Sequence, residues 1–115
     1  MSSRPAPFPR TARLLKPTEF NLVFRDAAFR RQRGALRLSA RANRMPSARL
    51  GLVVGKRALA RATERNRAKR VLRETFRLRR HSLRSMDIVV QVTGDASNSA
   101  YREAFEALLA ELSES

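Results

Sequence analysis

The 115-residue sequence is short enough for one compact domain, and its 43% apolar content favours a packed core over a disordered polyelectrolyte. Its formal net charge of +15, from 25 basic and 10 acidic residues, indicates a polyanionic partner such as a nucleic acid. Because the chain has no cysteine, disulfides, thiolate metal sites and cysteine nucleophiles are excluded, and the composition fits a reducing cytoplasm.

The charge is unevenly distributed along the chain. Through Arg84 there are 24 basic and four acidic residues, whereas from Ser85 onward one basic residue accompanies six acidic ones. Arginine accounts for 22 of the basic residues, and its planar guanidinium can hold phosphate through two donors and stack on bases. We therefore expect a polyanion to bind the first three quarters of the chain and the remainder to serve as scaffold.

Residues 1–12, which contain two arginines and three prolines, are predicted to form a flexible basic arm ahead of a single domain over residues 13–115. The arm lacks the hydrophobic segment of a secretory signal. No apolar run in the chain approaches the roughly 20 residues of a membrane span. We therefore expect no membrane association.

The first helix is predicted to have Thr18 as its N-cap and Glu19 in its first turn. Phe20 and Phe24 lie four residues apart and so share one face of this helix. Two interpretations of these rings stay open. They belong to the core, which is the commoner case, or they form a platform on which unpaired bases stack.

Residues 30–34 are predicted to form a basic turn. In the following segment Leu36, Leu38 and Ala40 alternate with polar side chains, which predicts a half-exposed antiparallel strand. A connection over residues 43–47 and a second strand over residues 50–55 come next. We predict that these two strands form a hairpin.

Residues 58 to about 84 are predicted to form an amphipathic helix with an almost purely cationic outer side. Its apolar arc consists of Ala68, Val71, Leu72, Thr75, Phe76 and Leu78. The opposite arc carries seven basic residues and one acid, Glu74. Because like charges four residues apart destabilise a free helix, a phosphate-binding face explains the pattern better than an ordinary solvated face. A membrane-surface helix is a minor alternative.

Residues 87–93 are predicted to form a buried strand. A last helix, capped by Ser99, is predicted to pack on the sheet through Tyr101, Phe105 and Leu108. The resulting order of helix, strands, basic helix, strand and helix indicates an α+β fold with one small sheet.

The residues that could support catalysis are scattered. His81, the single histidine, lies among arginines and has no evident acid–base partner. Asp87 and Asp95 flank one strand, but nothing in the sequence groups carboxylates as a Mg²⁺ site requires. No Walker loop, nucleophile elbow or zinc pattern occurs. We expect neither a catalytic residue nor a metal site in this chain.

The stretch ERNRAKR at residues 64–70, followed by VLRETFR, resembles the R-N-R-x-K-R signature of the bacterial ribonuclease P protein family. The resemblance extends to RLLK at residues 13–16, LGLVVGKR at 50–57 and MDIVV at 86–90, and it covers residues 13–112. It implies an αβββαβα sandwich in which helices pack a mostly antiparallel sheet. It also implies a left-handed β-α-β crossover through the basic helix.

The resemblance further implies a role as protein subunit of the ribonuclease that removes the 5′ leader of precursor tRNA. The RNA subunit would be the ribozyme and hold the Mg²⁺, and the protein would be monomeric and bind that RNA 1:1. Residues expected to face the ribonuclease P RNA are Lys56, Arg57, Arg61, Arg65, Asn66, Arg67, Lys69, Arg70, Arg73 and Arg77. Residues expected to line a cleft for the leader are Phe20, Phe24, Leu36, Leu38 and Arg13. The strand over residues 34–39 lacks the aromatic side chain of many relatives.

Three other classes of protein share parts of this pattern. A ribosomal protein has a similar composition, and only the ordered motifs favour ribonuclease P over it. A DNA-binding module could place the basic helix in the major groove, but no heptad zipper adjoins the helix. A stand-alone nuclease is disfavoured by the scattered carboxylates.

Overall fold

The computed structural model describes Arg13 and residues 16–114. Its elements are α1 (Pro17–Asp26), β1 (Phe29–Arg33), β2 (Leu36–Ala42), β3 (Arg49–Val54), α2 (Ala62–Arg79), β4 (Met86–Val92) and α3 (Asn98–Glu114). A 3₁₀ turn, Arg80–Ser82, directly follows α2. The predicted α+β class and the αβββαβα order are confirmed, while the predicted arm over residues 1–12 lies outside the described residues. None of the helices in the described ranges is long and apolar enough to cross a membrane.

The four strands form one mixed sheet in the order β1-β2-β4-β3. β2 pairs antiparallel with β1 and with β4, whereas β3 pairs parallel with β4. Parallel neighbours need a crossover connection, and α2 provides it between β3 and β4. The mostly antiparallel character of the sheet is confirmed, and the left-handed sense of the crossover stays a prediction.

Two predictions about the strands are wrong. The segment predicted as a basic turn contains β1, an edge strand whose four residues after Phe29 are all exposed, so it shows no alternation of apolar and polar residues. The hairpin joins β1 to β2, not β2 to β3, because β4 lies between the latter two. The hairpin turns at Gly34, whose φ of 55° is a conformation that glycine adopts without strain.

The main core lies between one face of the sheet and the helices α2 and α3. α2 buries Ala68, Val71, Leu72, Thr75 and Phe76, and α3 buries Tyr101, Ala104, Phe105, Leu108, Leu109 and Leu112. The predicted apolar arc of α2 is therefore confirmed with one exception. Leu78 is 66% exposed, because it lies at the margin of the arc in the last turn of the helix.

α1 lies on the opposite face of the sheet. Val23 is fully buried together with Val89 of β4, and Phe20, Phe24 and Val53 pack against this pair. The small second core fixes the position of the two phenylalanine rings over the sheet. The position of the outer faces of these rings therefore depends on how α1 is attached to the sheet.

Both predicted N-caps lie two residues too far along the chain. α1 begins at Pro17, and the free backbone N–H of Lys16 donates to Glu19 Oε1 at 3.1 Å, so Thr18 lies inside the helix. α3 begins at Asn98, and the Oγ of Ser97 accepts a hydrogen bond from the backbone N–H of Ala100 at 3.1 Å. Ser97 therefore has the role predicted for Ser99, since it is the residue just before the helix.

A partly buried ion-pair cluster fastens α1 to the sheet. Arg49 of β3 donates to both carboxylate oxygens of Asp87 on β4, each at 2.8 Å, and to Glu19 of α1 at 2.7 Å. Asn43 also donates to Asp87, at 2.7 Å. The side chains of Arg49 and Asp87 are 15% and 10% exposed, and the hydrogen bond that Arg49 donates to Asp87 is the main cause of the raised pKa of Arg49. The cluster therefore ties three elements together at one point.

We expect Arg49→Met to lower the free energy of unfolding by about 3 kcal/mol, because it leaves the carboxylate of Asp87 mostly buried without its main partner. Urea denaturation followed by circular dichroism measures this. Arg44→Met is the matched control, since Arg44 is exposed in the connection between β2 and β3 and its loss should cost about 0.5 kcal/mol or less. Equal unfolding midpoints for the two variants would contradict the role given to the cluster.

Candidate nucleic-acid interface

The outer side of α2 and the loop before it form a cationic surface. We define it by the exposed or half-exposed residues Lys56, Arg57, Arg61, Asn66, Lys69, Arg70 and Arg73. In the part of the chain that the structure describes, no acidic side chain forms an ion pair with any of these residues. The charge of the cationic surface is therefore not neutralised by the protein itself.

Arg65, the first arginine of the R-N-R motif, is turned toward the protein. Its Nη1 donates to the carbonyl oxygens of Leu59 at 2.9 Å and Ala60 at 2.8 Å. These bonds close the loop between β3 and α2 against the first turns of the helix. Arg65 thus shapes the loop that carries Lys56 and Arg57, in addition to any contact its remaining donors make.

Arg67, the second arginine of the motif, ties α2 to the start of α3. Its guanidinium donates to Asn98 Oδ1 at 2.6 Å and to Asp95 and the carbonyl oxygen of Ala96, each at 3.0 Å. It also lies 5.8 Å from the centre of the Tyr101 ring. A guanidinium has five N–H donors, so these bonds leave others for a ligand. Sequence reasoning missed this structural role because its partners lie about 30 residues away.

Arg77 is also engaged within the protein. It pairs with Glu74 one turn earlier, and its hydrogen bond is the main cause of the lowered pKa of the Glu74 carboxyl. The acid that interrupts the cationic side of α2 is therefore neutralised by its neighbour. The net positive charge of the cationic surface stays concentrated toward the first half of the helix.

Like charges approach each other at the margin of the cationic surface next to β3. Arg13 forms an isolated parallel bridge with Leu50, beside β3. Burial, and after it the positive charge of Arg13, lowers the pKa of Arg73. An anion bound near this pair would relieve the repulsion. Arg13, which was predicted to line the leader cleft, lies beside Leu50 and close to Arg73. It is not among the residues that line the groove between α1, β3 and α2.

A groove of about 460 Å³ lies between α1, β3 and α2. Phe20 and Phe24 line it from α1, Val53 lines it from β3, and Lys69 reaches it from α2. Both phenylalanine rings are half-buried, since they pack on the small second core and also face the groove. The rings are thus partly core residues, and their outer parts stay accessible to a ligand.

Leu36 and Leu38 do not line this groove, and the prediction that they do is wrong. Both are fully buried in the main core, because the register of β2 places them on the face of the sheet that α2 and α3 cover. The β2 residues on the groove side are Arg37 and Ser39, of which Ser39 pairs with Val89. The alternation of apolar and polar residues along β2 is enough to separate its two faces. The face that carries Arg37 was, however, predicted to be exposed to solvent only.

No group of three or more His, Asp or Glu side chains that could hold a metal ion occurs among Arg13 and residues 16–114. Asp87 is engaged by Arg49 and Asn43, and Asp95 is engaged by Arg67. The cationic surface and the groove offer a ligand guanidinium, ammonium and amide donors next to two aromatic rings. Such groups bind phosphates and bases.

Comparison with known proteins gives one consistent result. The family model described as ribonuclease P matches residues 8–113. The ribonuclease P protein component of Serratia proteamaculans is 44% identical over 104 residues, covering 88% of this chain and 87% of the relative, and that of Erwinia tasmaniensis is 43% identical with the same coverage. The ribonuclease P protein of Thermotoga maritima superposes with a TM-score of 0.75 at 30% identity, covering 86% of this chain and 96% of that one. The ribonuclease P protein of Staphylococcus aureus, at 23% identity, has the same fold, with a TM-score of 0.78 and coverage of 87% and 94%.

We expect Arg67→Ala to lower the free energy of unfolding by about 1–2 kcal/mol, because it removes several hydrogen bonds between α2 and the start of α3. Arg70→Ala, one turn further along the exposed side of α2, should change it by about 0.5 kcal/mol or less. Urea denaturation of the two variants under identical salt conditions checks the difference. Equal losses of stability would mean that Arg67 is no more structural than Arg70.

Proposed function

The chain belongs to the bacterial ribonuclease P protein family, and we propose that it holds ribonuclease P RNA on the cationic surface and the 5′ leader of precursor tRNA in the groove. Family membership makes ribonuclease P RNA its partner in the tRNA-processing holoenzyme and decides against the ribosomal and DNA-binding alternatives. The observation that carries the proposal is that the cationic surface and the groove meet at Lys69. One end of the groove therefore adjoins the surface assigned to the RNA subunit.

The cationic surface suits a folded RNA. Its arginines project from one rigid helix and the adjoining loop, so several phosphates can be contacted without ordering a flexible segment first. Each phosphate neutralised releases condensed counterions, which supplies most of the affinity and makes it depend on salt. The bonds that Arg65 and Arg67 make within the protein hold the loop and the helix in place for these contacts.

The groove suits a single strand. Half-exposed rings at Phe20 and Phe24 offer surfaces on which unpaired bases can stack, and stacking of this kind contributes about 1–3 kcal/mol per base. The ammonium group of Lys69 can offset a phosphate of the same strand. A double-stranded RNA presents no free base faces, so the groove favours the unpaired leader over the body of the tRNA.

Catalysis is proposed to reside in the RNA. The Mg²⁺ ions would be held mainly by ribonuclease P RNA, and the protein would lower the Mg²⁺ requirement because its charge offsets repulsion between the two RNA molecules. The protein would act as a monomer, 1:1 with the RNA, in the cytoplasm. The acidic outer residues of α3, such as Glu103 and Glu111, would face away from both RNAs.

For the RNA surface, we expect Arg70→Ala to weaken binding to ribonuclease P RNA and to reduce the slope of log affinity against log salt by about 1, since one phosphate contact is lost. Filter-binding titrations over a range of salt measure both. Arg102→Ala on the acidic helix α3 removes the same charge from an exposed position and should leave the slope unchanged. Equal slope changes in both variants would show an effect of net charge alone.

For the groove, we expect Phe20→Ala to weaken holoenzyme binding of precursor tRNA with a leader of several nucleotides by about 1–3 kcal/mol and to spare one with a single-nucleotide leader. Phe20→Leu keeps apolar packing on Val23 and Val89 but loses the ring, so it should share the leader-dependent loss while retaining more stability. If both substrates lose affinity equally in both variants, the ring is a core residue and the leader lies elsewhere.

A further inference from the structure

A second group of arginines lies where the turn that follows α2 meets the loop between β2 and β3. The backbone N–H of Asn43 donates to the carbonyl oxygen of Ser85 at 3.1 Å, and Arg80 Nη2 donates to Ser47 Oγ at 2.8 Å. These bonds hold the loop against the segment that follows α2. They therefore bring together three arginines that we call the second cationic surface: Arg44, Arg80 and Arg84.

The second cationic surface is not neutralised by nearby acids. Arg44 and Arg80 form no ion pair with a carboxylate in the ranges that the structure describes. The adjoining carboxylate of Asp87 is already bound by Arg49. The two arginines therefore keep a positive charge that is available to a polyanion.

Arg80 has an unused donor. Its Nε is buried and has no hydrogen-bond partner among the described residues, although one of its Nη atoms is bonded to Ser47. A buried donor without a partner costs about 1–3 kcal/mol, so the side chain gains when it turns outward and meets an acceptor. A guanidinium can hold two oxygens of one phosphate through parallel N–H donors. Arg80 is therefore suited to bind a phosphate.

The two cationic surfaces lie on the same side of α2. Arg80 follows Arg73 by seven residues, or two helical turns, and so lies about 10 Å further along the helix axis. Between them along the helix, Glu74 pairs with Arg77. One rigid helix therefore carries two separate groups of cations rather than one continuous stripe.

We propose that the second cationic surface is a second contact for ribonuclease P RNA, made to the phosphates of a double-helical arm of that RNA. The proposal rests on the proposed function, which assigns the first half of α2 to the same RNA. Duplex RNA is recognised mainly through its shape and its phosphates, with contacts to successive grooves. Once the first surface is bound, the second contact forms at a high effective concentration. Two points of attachment also fix the orientation of the protein on the RNA.

The RNA subunit is assigned as the partner because the second cationic surface continues along the helix that this RNA is proposed to cover. None of its three arginines lines the groove proposed for the leader. Guanidinium groups that bind backbone phosphates do not distinguish bases. The second contact should therefore depend on the fold of the RNA and on salt, and not on base identity.

Filter-binding titrations of ribonuclease P RNA at several salt concentrations test the contact. Arg80→Ala should weaken binding about fivefold and reduce the slope of log affinity against log salt by about 1, since one phosphate contact is lost. Ser47→Ala is the matched control, because it removes the same hydrogen bond within the protein and keeps the charge of Arg80. It should leave the slope unchanged. Equal effects of the two variants, or an unchanged slope for Arg80→Ala, would overturn the proposal.

Site-directed cleavage of the RNA identifies the partner. The chain has no cysteine, so a single introduced cysteine can carry an iron chelate that cuts nearby RNA. Ser82→Cys lies beside the second cationic surface, and Thr63→Cys lies in the first turn of α2. In the holoenzyme with bound precursor tRNA, both should cut ribonuclease P RNA, at different places. Cuts from Ser82→Cys that are confined to the precursor tRNA, or no cuts from it, would overturn the proposal.

The two proposals fail in different ways. If Arg80→Ala binds the RNA as the unmodified protein does while Arg70→Ala binds more weakly, the cationic surface stands and the second contact does not exist. If neither variant changes binding and Thr63→Cys gives no cuts, the RNA subunit does not cover α2 and both proposals are overturned. Unfolding midpoints of the variants, measured alongside, confirm that each compared protein is folded.

Discussion

Burial of the apolar side of α2 against the sheet leaves the arginines of that helix facing outward. Val71, Leu72 and Phe76 must be removed from water, and the crossover between the parallel strands β3 and β4 places them on the main core. Five of the chain's ten acidic residues lie on α3 and the loop before it, and of these only Asp95 and Glu106 pair with an arginine of α2 among the residues that the structure describes. In the proposed complex, the phosphates of the RNA would offset the repulsion among the remaining charges.

The second constraint is the ion-pair cluster around Arg49. It joins the first turn of α1 to β3 and β4, so the rings of Phe20 and Phe24 keep a fixed distance from Val53 and from Lys69. A groove formed between a helix and a sheet would close or widen if the helix could rotate. The cluster thus links the stability of the fold to the shape of the groove, although none of its residues lines the groove.

The parts of the molecule that the sequence predicts well are those governed by local periodicity. The apolar arc of α2 and the stripe of α3 around Phe105 were identified because a helix repeats every 3.6 residues whatever it packs against. β1 was missed because an exposed edge strand of arginines carries no alternation. Leu36 and Leu38 were assigned to the wrong face because alternation separates two faces without saying which helix covers each. The internal bonds of Arg67 depend on residues distant in sequence, which no local pattern shows.

We propose that this protein serves a ribozyme by holding RNA on one side of a small α+β domain. The most direct test is cleavage of precursor tRNA by ribonuclease P RNA at a Mg²⁺ concentration too low for the RNA alone, with and without the protein. The account predicts that the protein restores cleavage at the mature 5′ end and produces none when the RNA is omitted. Binding of the RNA without restored cleavage, or cleavage by the protein alone, would contradict it.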